Sequence, residues 1–202
     1  GRWDTISIPV NVRRVIPYSK DSIYAIEARR FYKCSFTTQQ CSDTRVTEPG
    51  EALLNIGTTT DKIFTFSTRR VYQSTDNGES WTTIIEASPR TFYDLSIFAD
   101  SLLFINGATN LKYTIETQSF DTLSASVSLV TEDGTLYSGS GGIHRSSDFG
   151  ETWEEIFKSE DFLPDGFIRE ILFDENNEKL YVVTTVGRVY VTENSGLDWG
   201  VN

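Results

Sequence analysis

The sequence predicts an all-β protein built from repeated four-stranded antiparallel units, and three observations predict it. The apolar residues lean aromatic and β-branched, with 13 Phe, 9 Tyr and 4 Trp in 202 residues, a bias that favours strands over helices. One phrase recurs: STDNGESW at 74–81, SSDFGETW at 146–153 and TENSGLDW at 192–199. Ahead of each copy lies the same text of strand, short polar turn, strand.

Five units follow one another, each with strands A to D. In the first, residues 9–49, VRRVIPYSKDSIYAIEA supplies strands A and B, RFYKCSFTTQQC strand C and its turn, and CSDTRVTE strand D. The second, residues 50–89, reads ALLNIGTTTDKIFTFST, RVYQSTDNGESW and WTTIIEA. In the third, residues 90–125, YDLSIFADSLLFING leads into NLKYTIETQSF and SFDTLSA, a degenerate copy with Phe120 near the Trp place. The fourth, residues 126–166, reads SVSLVTEDGTLYSGS, GIHRSSDFGETW and WEEIFKS; its GSGG is a B–C turn and His144 a strand residue. The fifth, residues 167–202, reads IREILFDENNEKLYVVT and RVYVTENSGLDW, then stops soon after the Trp. Four-strand units at a period of roughly 40 residues are the signature of propeller blades. The expectation is therefore a single β-propeller domain of five blades. GRWDTISIPV reads like a strand D without its own A, B and C. Residues 2–8 are accordingly expected to complete the last blade and close the ring, an arrangement in which Trp3 and Trp199 compete for one place.

The pattern S-x-D-x-G-x-[ST]-W between strands C and D resembles the Asp box, or BNR repeat. Sialidases, sortilin-type receptors, some glucanases and photosystem assembly factors carry it. The resemblance covers essentially the whole chain and implies blade architecture rather than an activity. It assigns structural roles to Ser74, Asp76, Gly78 and Trp81, to Ser146, Asp148, Gly150 and Trp153, and to Asn194, Gly196 and Trp199. The Gly supplies a backbone conformation closed to other residues. The Asp accepts from N–H groups of its own turn, and the Trp packs back across the sheet. Repetition at equivalent positions argues against Asp76 or Asp148 as a catalytic acid, and no catalytic residue is assigned. In the first unit Cys34 stands at the Ser position and Cys41 at the Trp position. A disulfide there could pin the hairpin covalently, and would go with a secreted, periplasmic or cell-surface setting. The alternative is two buried free thiols.

Composition narrows the function. A net charge of −11 disfavours nucleic acid. One His and a lone C-x6-C pair argue against a metal site, a cofactor or a Ser/Cys–His catalytic pair. No apolar run is long enough to span a membrane. The start at Gly1, with no Met in the chain, reads as a processed or excised end of a larger chain or assembly. Charges sort by turn class: acidic residues such as Asp21, Asp61, Asp133 and Asp174 fall in A–B turns, whereas Arg30, Arg70 and Arg188 lie in B–C loops, with Arg14 near a strand A start. These four arginines are the candidate site for an anionic ligand at the funnel face; the alternative is equivalent ion pairs in successive blades. RRVIPYSKDSIYAIEARR resembles the sialidase stretch built on Arg-Ile-Pro, although Val15 separates Arg14 from Ile16-Pro17. A sialidase needs a Tyr–Glu nucleophile pair, for which Tyr93 or Tyr190 is the nominee. The expected function is a non-catalytic binding module for a protein or an acidic glycan. The alternatives are a sialidase-like glycoside hydrolase and an assembly or scaffold domain of a larger surface protein.

Overall fold

The computed structural model describes residues 5–8, 11–87, 92–139, 141–158, 160, 167–194, 196 and 198–201. Its strands form five four-stranded antiparallel sheets. The first holds β1 (Arg14–Ser19), β2 (Ser22–Ile26), β3 (Arg30–Ser35) and β4 (Gln40–Arg45), and the second β5 (Asn55–Thr58), β6 (Ile63–Phe66), β7 (Arg70–Ser74) and β8 (Thr82–Glu86). The third holds β9 (Asp94–Phe98), β10 (Leu102–Asn106), β11 (Asn110–Thr114) and β12 (Ser119–Leu123). In the fourth are β13 (Leu129–Val130), β14 (Leu136–Ser138), β15 (Gly142–Ser146) and β16 (Glu154–Lys158). The fifth holds β17 (Ile168–Asp174), β18 (Lys179–Thr184), β19 (Val189–Thr192) and β20 (Gly200–Val201). Each sheet runs in chain order from one edge to the other.

Strand composition explains the burial gradient across a sheet. The second strands are apolar runs, such as IFTF in β6 and LLFIN in β10, and are buried on both faces. The fourth strands are polar: QCSDTR in β4 and SFDTL in β12 are largely exposed, as suits an edge that must not recruit another strand.

The chain divides into two compact units, residues 1–100 and 101–202. In the first, Tyr24, Ile26 and Phe31 of the first sheet pack with Leu53, Ile56, Ile63 and Tyr72 around the second. In the second, Tyr137, Ile143 and Phe157 of the fourth sheet pack with Ile171, Leu180, Val182 and Tyr190 of the fifth. Each such side chain contributes about 1.5–3 kcal/mol on burial.

The C–D hairpins come in two kinds. In the first and third sheets the turn is short, with Ser35 opposite Gln40 and Thr114 opposite Ser119, and Gln39 and Gln118 take positive φ to close it. In the second and fourth the turn is longer, and register shifts between Val71 and Tyr72 and between Ile143 and His144. A bulge at that place sharpens the local twist.

The expected closing strand is not found among the described residues. Residues 5–8 form no strand, and the fifth sheet takes its fourth strand, β20, from the segment after Trp199. The reason is packing: Ile6 and Ile8 lie against Ala25, Tyr32 and Cys34 of the first sheet. Trp3 and residues 2–4 lie outside the described residues.

Candidate functional site

The recurring phrase folds into a self-contained clamp. Ser74 Oγ accepts from the Gly78 amide at 2.8 Å and donates to Asp76 Oδ1 at 2.8 Å. The same Oδ1 accepts the Ser80 amide at 2.9 Å, and the Ser80 hydroxyl donates to Oδ2. Ser146, Asp148, Gly150 and Thr152 repeat this network. Thr192 and Asn194 repeat it again, and there the Asn194 amide also donates to Asp198 at 3.0 Å, a bond an aspartate could not give. The Ser80 hydroxyl and amide, with Ser74, hold the Asp76 carboxyl down to about 2. Thr152 and Ser146 do the same for Asp148. A carboxylate so engaged accepts bonds from its own turn and is poorly disposed to give up a proton as a general acid.

In the second, fourth and fifth sheets the clamp also packs against the sheet before it. Gly78 has φ +91°, and a Cβ there would enter the Phe31 ring. At Gly150 and Gly196 it would lie 2.6 Å from Leu123 and 2.8 Å from Ile156. Trp81 meets Phe31 edge-on at 5.3 Å, and its indole donates to the Gly78 carbonyl. Trp199 stacks on Phe157 at 4.5 Å and donates to the carbonyls of Gly196 and Ile156. The indoles of Trp81 and Trp199 thus reach the preceding sheet, beyond the packing across their own sheet that was expected. The buried Trp153 Nε1 has no hydrogen-bond partner among the described residues. In the first sheet Cys34 and Cys41 are directly opposed and form a disulfide, with Cα atoms 4.1 Å apart.

The four nominated arginines lie in different surroundings. Arg14 is exposed at the start of β1. Arg30, at the start of β3, pairs with Asp43. Arg70 is held between Glu51 and Glu86, the latter at 2.7 Å. Arg188 is exposed just before β19, its amide donating to Thr184 Oγ1 at 3.2 Å. The first three belong to the first unit and Arg188 to the second.

Arg30 does have basic company, from an unexpected quarter. β3 and β4 pair so that Arg30 faces Arg45 directly, a like-charge opposition that is unfavourable by itself. Arg29, Arg30 and Arg45, with Glu27 and Ala28, line a cleft of about 420 Å³. The Arg45 Nε–H is fixed by the Thr47 carbonyl at 3.1 Å. Sequence reasoning passed over Arg45, although the register implied by a Cys34–Cys41 pair would have placed it opposite Arg30.

Glu51 was also missed. It is 8 % exposed and accepts from Ser67 Oγ at 2.8 Å and Tyr72 OH at 2.9 Å while pairing with Arg70. Burial pushes the Tyr72 phenol up to about 12, and its bond to Glu51 adds to the rise. This is a Tyr–Glu pair, but its Tyr is 4 % exposed and remains protonated at neutral pH. Of the two tyrosines nominated from sequence, Tyr190 is buried in the core of the second unit and Tyr93 is 61 % exposed.

No family model matches the chain, and no curated relative matches it. Solved structures do. The extracellular domain of the one-component system BT4673 from B. thetaiotaomicron is similar at a TM-score of 0.72 and 14 % identity, over 95 % of this chain and 28 % of that one. A virginiamycin B lyase from Staphylococcus aureus with quinupristin is similar at 0.72 and 11 % identity, over 95 % and 69 %. YCF48 bound to D1 peptide is similar at 0.67 and 8 % identity, over 91 % and 66 %. The chain thus spans little more than a quarter of the BT4673 domain's length. At these identities the likeness concerns fold alone, and the fold is that of a β-propeller.

Proposed function

We propose that this chain is an extracellular, non-catalytic propeller module that binds an anionic partner, a protein or an acidic glycan, through basic residues on the B–C side of its sheets. The observation that carries the reading is the arginine cleft. Arg30 and Arg45 oppose one another across β3 and β4 with Arg29 beside them; Asp43 pairs with Arg30 alone, and a bound carboxylate or sulfate would supply the counter-charge that Arg29 and Arg45 lack among the described residues. Arg14 and Arg70, of the same unit, are the secondary contacts in this reading, and Arg188 is a separate candidate on the second unit. Membership of the Asp-box group and a single five-bladed domain go with it. An extracellular setting is supported by the disulfide and by the extracellular domain among the similar structures. The YCF48 structure holds a peptide, which supports a protein partner. A non-catalytic role is supported by the burial of Tyr72 beside Glu51 and by the commitment of Asp76 and Asp148 to their own turns.

The test is a titration with a sulfated oligosaccharide and with a polyglutamate peptide at low and high salt. Affinity should fall as salt rises, because exposed charge pairs are screened over about 10 Å at 0.1 M. The Arg29→Ala/Arg45→Ala variant should bind more weakly at unchanged melting temperature, and the ligand it loses distinguishes glycan from protein. Binding that ignores both salt and these substitutions would reject the proposal.

A further inference from the structure

A second cleft, of about 270 Å³, opens in the first unit where the end of β1 and the start of β2 meet two turns of the second sheet. It lies on the A–B and C–D turn side, at the other end of β3 from Arg30. At about 3.3 Å per residue, the length of β3 separates it from the arginine cleft.

One wall is aromatic. Tyr18 stacks on the buried Tyr24, with ring centroids 4.3 Å apart and planes 24° from parallel, yet Tyr18 itself is 46 % exposed. Tyr24 OH donates to Asn77 Oδ1 of the box turn. The facing wall is the β5–β6 turn, with Thr59, Thr60 and the Asp61–Lys62 pair at 2.8 Å. The carboxylates at the cleft are committed, Asp61 to Lys62 and Asp76 to its own turn. Lys33, which does not line the cleft, places its Nζ over the Tyr18 ring at 5.6 Å from the centroid, a loose cation–π contact. What remains is an aromatic surface, already ordered by its stacking partner, beside the Asn77 side-chain amide and the hydroxyl of Thr60, which donates to Asp100 Oδ2 and so meets a ligand as an acceptor. An ordered aromatic costs little further side-chain entropy on binding. An acidic ligand would meet Asp61 and Asp76, and a cationic one would find Asp61 already paired. A neutral sugar matches both surfaces, with C–H groups for the ring and hydroxyls for the rim.

We propose that this cleft binds an uncharged pyranose residue, with Tyr18 as its stacking platform and Asn77 and Thr60 at its rim. The corresponding turns of the fourth and fifth sheets do not repeat the design. Their cleft is lined by Asp133, Glu175, Glu178 and Glu193 with Arg145, and its tyrosine, Tyr137, is 4 % exposed.

The probes are neutral trisaccharides built on glucose, mannose and galactose, titrated into the intact chain and followed by NMR and calorimetry. At least one should shift the resonances of Tyr18, Asn77 and Thr60, with an affinity that salt leaves unchanged. Tyr18→Ala should weaken it by about tenfold or more, while Tyr18→Phe, which keeps the ring, should stay within about threefold. Arg29→Ala/Arg45→Ala should not alter it, so failure of the arginine site and failure of this one are separable. Melting curves check that Tyr18→Ala is folded; if it is not, the wild-type resonance shifts and the Tyr18→Phe affinity decide. The proposal is overturned if no trisaccharide shifts those resonances, if binding survives folded Tyr18→Ala, or if it falls with salt and with the arginine substitutions.

Discussion

Glu51 sits in a connection between sheets, yet three side chains converge on it. Burial pushes its carboxyl up; bonds from Ser67 and Tyr72, together with Arg70 and Arg69, more than offset this and hold it below the ordinary range. Because the folded pKa is depressed, the contribution is present above the unfolded value and is lost as pH falls through the folded one. Glu51→Ala would leave the buried hydroxyls of Ser67 and Tyr72 without their acceptor and remove one of the two carboxylates that hold Arg70. It should destabilise the protein by about 2–4 kcal/mol in denaturant titration. Glu51→Gln keeps an acceptor and should cost less. Equal losses from the two substitutions would show that charge alone matters at this position.

At the scale of the hairpin, two clamps do the same work by different chemistry. In the box turns a side-chain network folds the turn, and a glycine lets it approach the preceding sheet. Gly78→Ala should cost about 2–4 kcal/mol, since it strains a positive φ and displaces Phe31. Gly200→Ala in β20, with Val191 at 3.6 Å, should change stability by less than about 1 kcal/mol. In the first sheet the disulfide replaces the network across a sequence separation of 7. Replacing both cysteines by Ala should cost about 2–3 kcal/mol on the chain-entropy account. A thiol titration of denatured, unreduced protein should find no free thiol, in keeping with the absence of free cysteines.

Across the whole molecule, five aspartates in the turns are shifted in one direction. Asp61, Asp133 and Asp174 are held below the ordinary range, chiefly by bonds from Lys62, Thr131 and Asn177, as Asp76 and Asp148 are by their box partners. Depressed folded values mean that stability is fully present above the unfolded carboxylate pKa, about 3.9, and is lost as pH falls towards about 2. The melting temperature should therefore hold from pH 7 to about 5 and drop between about 4 and 2. Asp76→Asn/Asp148→Asn should melt lower at neutral pH and show a shallower acid fall. An acid fall as steep as in the wild type would mean that the box carboxylates do not govern it.

The sequence by itself determined the five repeats, the strand order within the first four and the positions of the box turns, and it singled out Cys34 and Cys41 as a candidate pair. All of these are local. A turn whose Ser, Asp and Gly bond to one another within four residues is specified by spacing alone; for the cysteines the repeat left a disulfide and two free thiols open, and their facing positions across the hairpin decided for the disulfide. Only the tertiary structure decided that Glu51 reaches Arg70 and Tyr72, that Tyr24 bonds to Asn77, and that Ile6 and Ile8 turn to the first sheet. It also placed Trp199 on Phe157 of the sheet before its own. These contacts join segments about 20 to 50 residues apart, through connections that differ from one repeat to the next. The periodic pattern says which face of each strand is apolar; which neighbour fills that face depends on how the non-repeating connections run.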